Sequence, residues 1–167
     1  MTSMLVLLVD YNYASSIYRL VKEAQDSSRM TLYVSLNKTY KALSTGFSED
    51  GLDMSKFVFI DTITATIMPA KSSKDCVFLN APNDVKNLYA GIVKMVKTCD
   101  VEMVLFDSLS SLTTYQNFDE VEHFVTTLLG SLSLLNCPAA FTCLKSDENN
   151  PLIQHIKMKV DKTIEMG

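Results

Sequence analysis

The sequence predicts an α/β fold, a three-layer sandwich with helices on both faces of a mostly parallel central sheet. Three observations carry this. Residues 4–9, 57–63, 101–106 and 138–144 are short, almost unbroken apolar runs, the signature of strands buried on both faces. Segments with apolar residues at helical spacing lie between such runs. The two kinds alternate along the chain, as they do in a doubly wound sheet. The four runs are therefore expected to be inner strands.

In order, residues 4–9 form the first strand and 10–13 a short loop. Asn12 is placed to cap a helix over 13–26, with Ile17, Leu20, Val21 and Ala24 on one side. Residues 31–36 read as a second strand. A helix begins at 39–43 and ends near Gly46, and the polar stretch 44–56 reads as loop. The third strand is 57–63. Residues 64–74 contain Pro69 and a polar KSSKD patch without a period, so they read as an exposed excursion before a short extended segment at 76–79. Pro82 and Asn83 start a helix to about residue 98, with Val85, Leu88, Ile92, Met95 and Val96 on its apolar face. After the strand at 101–106, a helix over 119–135 places Val121, Phe124, Val125, Leu128, Leu129 and Leu132 on one side. A strand at 138–144, a short helix at Pro151–Lys157 and a last strand at 160–166 follow. No repeat, low-complexity tract or linker interrupts the chain, so residues 1–167 read as a single domain.

Composition narrows the function classes. Hydrophobic residues make up 47% of the 167 and charged residues 20%, which suits a packed core and not a disordered chain. A net charge of −4 argues against broad contact with nucleic acid or an anionic membrane. No apolar run approaches the ~20 residues of a membrane span. Residues 4–9 lack a basic leader and stop at Asp10, so they read as a strand and not a signal peptide. The four cysteines (Cys76, Cys99, Cys137 and Cys143) form no CxxC pair, and His123 and His155 are far apart. Buried reduced thiols in a cytoplasmic protein are the expectation, with no zinc site or disulfide framework. Most of the nine methionines fall at strand or helix core positions and read as gap-fillers.

The chemistry-bearing stretch is VEMVLFDSLSSL at 101–112. Its strand stops at Asp107 and gives way to Ser108, Ser110, Ser111, Thr113 and Thr114. Ligands of open α/β sheets collect beyond the carboxyl ends of the strands, so Asp107 stands at a functional position. An acid there also caps a following helical turn or closes a strand end.

The element order resembles the RecA/KaiC-like branch of the P-loop ATPases, in particular small archaeal KaiC-like domains, over nearly the whole chain. The matching pieces are LYVSLNK at 32–38, FVFIDT at 57–62, NAPNDVKNLYAGI at 80–92, VLFDSLSSLTTYQN at 104–117 and VDKTIEM at 160–166. The fourth is the most specific, because it has the pattern of those domains around the Walker B acid. The resemblance implies a RecA-like P-loop NTPase fold and three working parts. A G-x-x-x-x-G-K-[ST] cradle should follow the first strand, where backbone N–H groups and a lysine hold phosphates. Residues 9–16 here read VDYNYASS: both glycines are missing, Ser15 stands in the lysine position, and Ser16 alone matches the metal-binding hydroxyl. A catalytic Glu should follow the second strand, and Asn37 and Lys38 stand there instead. The Walker B acid survives as Asp107.

The resemblance thus implies a catalytically inactive, pseudo-ATPase domain that acts as a regulatory or protein-interaction module. Two alternatives are a nucleotide-binding switch without hydrolysis and an enzyme with unrelated chemistry at the strand-end cleft. Ser15, Ser16, Asp107 and Ser108 mark the vestigial nucleotide site. No catalytic or metal-binding residue is assigned, and neither ATP nor Mg²⁺ is expected as a cofactor. Asp107 should be buried against the 10–16 loop, near Ser15 or Ser16. Thr142, Cys143 and Lys145 occupy positions that can sense a γ-phosphate in active relatives. Arg19 and His123 read as surface residues. Tyr11 and Tyr13 are expected to fold into the vacated phosphate pocket. Tyr115 and Phe118 are expected at an interface, with a homodimer or a different protein as the partner.

Overall fold

The computed structural model describes residues 2–167. Its seven strands are β1 (Ser3–Leu8), β2 (Thr31–Ser35), β3 (Phe57–Asp61), β4 (Cys76–Phe78), β5 (Met103–Asp107), β6 (Ala139–Leu144) and β7 (Lys162–Met166). They form one sheet in the order β4-β3-β2-β5-β6-β1-β7. Every pairing is parallel, so the sheet is more uniform than the expected "mostly parallel". The four expected inner strands correspond to β1, β3, β5 and β6, and all are interior.

The helices are α1 (Tyr13–Ser27), α2 (Tyr40–Glu49), α3 (Thr64–Ile67), α4 (Val85–Thr98), α5 (Leu109–Tyr115), α6 (Phe118–Leu134) and α7 (Pro151–Lys157). Strand side chains alternate between two cores. Val6, Leu8, Tyr33, Phe57, Phe59 and Leu105 pack with α1 and α2. Leu5, Leu7, Val34, Ile60, Phe106 and Phe141 pack with α4, α5, α6 and α7. These are the three expected layers.

Several boundaries differ from the sequence reading. The helix expected to stop near Gly46 runs on to Glu49. Leu43 and Phe47 are one turn apart and both buried, and Phe47 meets Tyr33 at 5.6 Å. That burial outweighs the ~1 kcal/mol helix cost of a glycine. The chain turns after α2 at Gly51, where φ is +84°, a left-handed backbone that glycine adopts freely. Asn12 does not cap α1 through its side chain; a 3₁₀ turn at Asp10–Asn12 leads into the helix. Asp84, not Asn83, caps α4 by accepting from the Asn87 N–H. Strand β3 ends at Asp61, two residues early, because its buried carboxylate accepts from the backbone N–H groups of Tyr40, Ile63 and Thr64. Part of the expected excursion folds as the one-turn α3. The helix at 109–115 has no counterpart in the sequence reading. Cys76, Cys137 and Cys143 are buried free thiols as expected, whereas Cys99 is half-exposed. Met95 and Met166 are buried and Met4, Met30, Met54 and Met103 pack against the cores, as expected of most of the methionines, whereas Met68 and Met158 lie on the surface. Among the described residues, no helix is long and apolar enough to cross a membrane.

Candidate functional site

Asp107 closes β5 between two neighbours. On one side Ser35 of β2 is its register partner; on the other lies β6, where Phe106 pairs with Phe141. Its side chain is 4% exposed. Four donors converge on the carboxylate. The Tyr33 hydroxyl donates to Oδ2 at 2.5 Å. Oδ1 accepts from the Asn37 amide at 3.0 Å, the Thr142 hydroxyl at 2.9 Å and the Tyr13 phenol. A buried carboxylate is tolerated when its lone pairs are filled in this way.

Asp107 therefore meets the 10–16 loop as expected, but through Tyr13 and not through Ser15 or Ser16. The Ser15 hydroxyl donates to the carbonyl of Asn12 at 3.0 Å. Ser16 is buried on α1 and makes no bond to Asp107. Ser108 caps α5: its oxygen accepts from the Ser111 N–H at 3.1 Å and its hydroxyl donates to Ser111 Oγ at 3.1 Å. The Ser111 hydroxyl in turn donates to Asn37 Oδ1, so Asn37 bridges Asp107 and α5. Tyr13 folds inward as anticipated. Tyr11 does not: it lies on the 3₁₀ turn ahead of α1, which carries its ring out to solvent, 87% exposed.

Of the sensor positions, Thr142 joins the Asp107 cluster. Cys143 is buried and accepts from the Ser110 hydroxyl at 3.4 Å. Lys145 is paired with Glu148 and Glu165. Arg19 and His123 are exposed, as expected. Beyond Tyr13, a cleft of 470 Å³ is lined by Asp10, Asn37, Ser108, Ser111 and Asp147 among others, with no lysine or arginine. Sequence reading missed Tyr33. Its one available signal was a phenol in the middle of a buried strand, which needs a hydrogen-bond partner.

Burial pushes the Asp107 carboxyl up to about 7, and the Thr142 hydroxyl opposes the rise. An unfolded aspartate titrates near ~3.9. Between these values the folded state holds a proton that the unfolded state has released. The stabilisation is complete below the lower value and is lost as pH rises to about 7. Asp107→Asn should abolish that slope, which urea melts of both proteins between about pH 4 and pH 8 would measure.

A parallel sheet with an acid at the end of a central strand, facing the loop after the first strand, defines a RecA-type α/β domain. The chain belongs to the KaiC ATPase family: the family model described as ATPase, KaiC matches residues 16–167. Among solved structures it is similar to a KaiC-like protein from the hyperthermophilic archaeon Pyrococcus horikoshii OT3. That likeness has a TM-score of 0.68 at 14% identity and covers 93% of this chain and 68% of the other. No curated protein sequence matches.

Proposed function

We propose that this KaiC-family domain does not hydrolyse ATP and acts as a regulatory or protein-interaction module. The observation that carries the reading is the saturation of Asp107. Tyr13, Asn37 and Thr142 all donate to Oδ1 and Tyr33 donates to Oδ2. The protein's own donors thus stand where a metal ion and its waters would have to coordinate. Phosphoryl transfer depends on positioned phosphates and charge stabilisation. The loop that would supply them has no glycine or lysine and brings Asp10, whose charge opposes a triphosphate. The family match begins at Ser16, beyond most of that loop.

The interaction half of the reading rests on exposed apolar residues. Tyr11, Ile67, Met68, Tyr115 and Phe118 are all exposed. They lie in the segments that follow the carboxyl ends of β1, β3 and β5, so they crowd the same end of the sheet. Aromatic and methionine side chains are enriched in protein interfaces. We assign Tyr115 and Phe118 to a contact surface, with self-association as the first form to test. Sedimentation of the wild type should show a dimer at micromolar concentration, and Tyr115→Ala/Phe118→Ala should weaken it at least about tenfold, as loss of two interface aromatics does. A strictly monomeric wild type would leave only a different protein as partner. ATP turnover that disappears in Asp107→Asn would overturn the reading itself.

A further inference from the structure

We infer that the outer edge of β7 pairs with β7 of a second copy of this chain, antiparallel and in a single register. The sheet is bounded by β4 and β7, and the two edges end differently. At β4 the chain closes its own edge. The Ser73 N–H donates to the Cys76 carbonyl at 2.9 Å, and the Phe78 N–H donates to Ser72 Oγ at 3.0 Å. At β7 the edge is open. The Val9 N–H donates to the Met166 carbonyl at 3.2 Å, so Met166, and with it Ile164 and Lys162, turn their backbone groups toward β1. The N–H and C=O groups of Thr163 and Glu165 therefore point outward, and none of them has a partner among the described residues.

Such an edge is a template for another strand. The usual defences are missing: β7 contains no proline, and its register with β1 runs without a bulge. Its one acid, Glu165, is held by Lys145 at 3.2 Å. Parity then selects the register. Opposed residues of an antiparallel pair exchange both bonds when their backbone groups point at each other. A two-fold axis at Ile164 sets Thr163 against Glu165 of the second copy, and Glu165 against its Thr163, so every outward group of both residues is bonded. Ile164 meets its own counterpart in the closely spaced pair between them. It is half-buried and packs on the α1–α2 side, so the pairing extends that core. Lys162 falls opposite Met166, and no like charges are directly opposed. An axis at Thr163 would set Asp161 against Glu165, a like-charge pair that destabilises a sheet. A single pair of short strands is marginal in water, so the contact forms toward millimolar concentration, above the range in which Tyr115 and Phe118 are to be tested.

The edge lies on different residues from the Tyr115 and Phe118 surface and does not depend on the absence of hydrolysis. The test is amide hydrogen exchange of the full chain, read residue by residue by NMR at micromolar and at millimolar concentration. The Thr163 and Glu165 amides should exchange freely in the dilute sample and become protected in the concentrated one. The Ile164 and Met166 amides, bonded to β1, should be protected in both and report that the sheet is intact. Thr163→Pro removes an outward donor that β1 does not use, a place where an edge strand tolerates proline. It should weaken the pairing at least about tenfold. Thr163→Lys sets a cation against Glu165 of the second copy and should tighten it about threefold or more. Thr163 and Glu165 amides that stay unprotected at millimolar concentration, protection that is the same at both concentrations, or a Thr163→Lys variant that pairs more weakly would each overturn the β7 pairing. Association through Tyr115 and Phe118 alone leaves both amides unprotected, so the two contacts fail or stand separately.

Discussion

Asp107→Ala will destabilise the domain by about 2–6 kcal/mol, because two wholly buried hydroxyl donors each lose their acceptor at about 1–3 kcal/mol. Those donors are Tyr33 and Thr142, each 1% exposed. Thr142 keeps a weaker bond to the Phe106 carbonyl at 3.3 Å, which places its cost at the low end. Tyr13 and Asn37 lie nearer the surface and regain bonds to water. Against a total stability of roughly 5–15 kcal/mol, the loss is large enough to read directly in urea or thermal melts. Asp107→Asn keeps the shape and one acceptor oxygen, so it should cost well under half as much. A loss below about 1 kcal/mol in the alanine variant would mean that the carboxylate is not the hub of the site.

Phe106→Ala will cost about 3–5 kcal/mol, the usual range for removing a buried aromatic ring from a core. Phe106 immediately precedes Asp107 and points to the opposite face of the sheet. It is fully buried, 5.7 Å from Phe124 and 5.5 Å from Phe141 by ring centroids. Truncation therefore opens a cavity between β5, β6 and α6 that the rigid parallel sheet cannot close. In a domain of this size each kcal/mol moves the melting temperature by about 2–4 °C, so the midpoint should fall by roughly 6–20 °C. The two variants separate the roles of adjacent residues. One removes an acceptor and keeps the core; the other empties the core and keeps the acceptor.

Most of the fold was legible in the sequence because its inner strands are buried on both faces. Burial on both faces leaves a continuous apolar run, as in MVLF before Asp107, and a run that short between helical segments is the mark of an inner strand. The edge strand β7 has a mostly exposed pattern and begins two residues later than the sequence suggests, because an edge carries a weaker signal. The α5 helix was hidden by its composition. Leu109 and Leu112 are its only large buried side chains, and they lie among serines and threonines that favour caps and turns in isolation. At the site, Asp107, Tyr13 and Asn37 could be singled out because each stands at a strand end or in the first loop. Thr142 was singled out only as one of three sensor positions and Tyr33 not at all, since their contacts with Asp107 are fixed by lateral neighbours in the sheet. Residues 33, 107 and 142 come together only once β2, β5 and β6 lie side by side, and strand order is not written in local periodicity.

Loss of nucleotide binding is tested most simply by thermal denaturation of the full chain with and without Mg²⁺ and ATP. The expected result is an unchanged melting temperature and no phosphate release. A nucleotide bound at a hundred times its dissociation constant would stabilise the fold by ~2.7 kcal/mol. A shift of that size, lost in Asp107→Asn, would show instead that the strand-end cleft still holds its nucleotide.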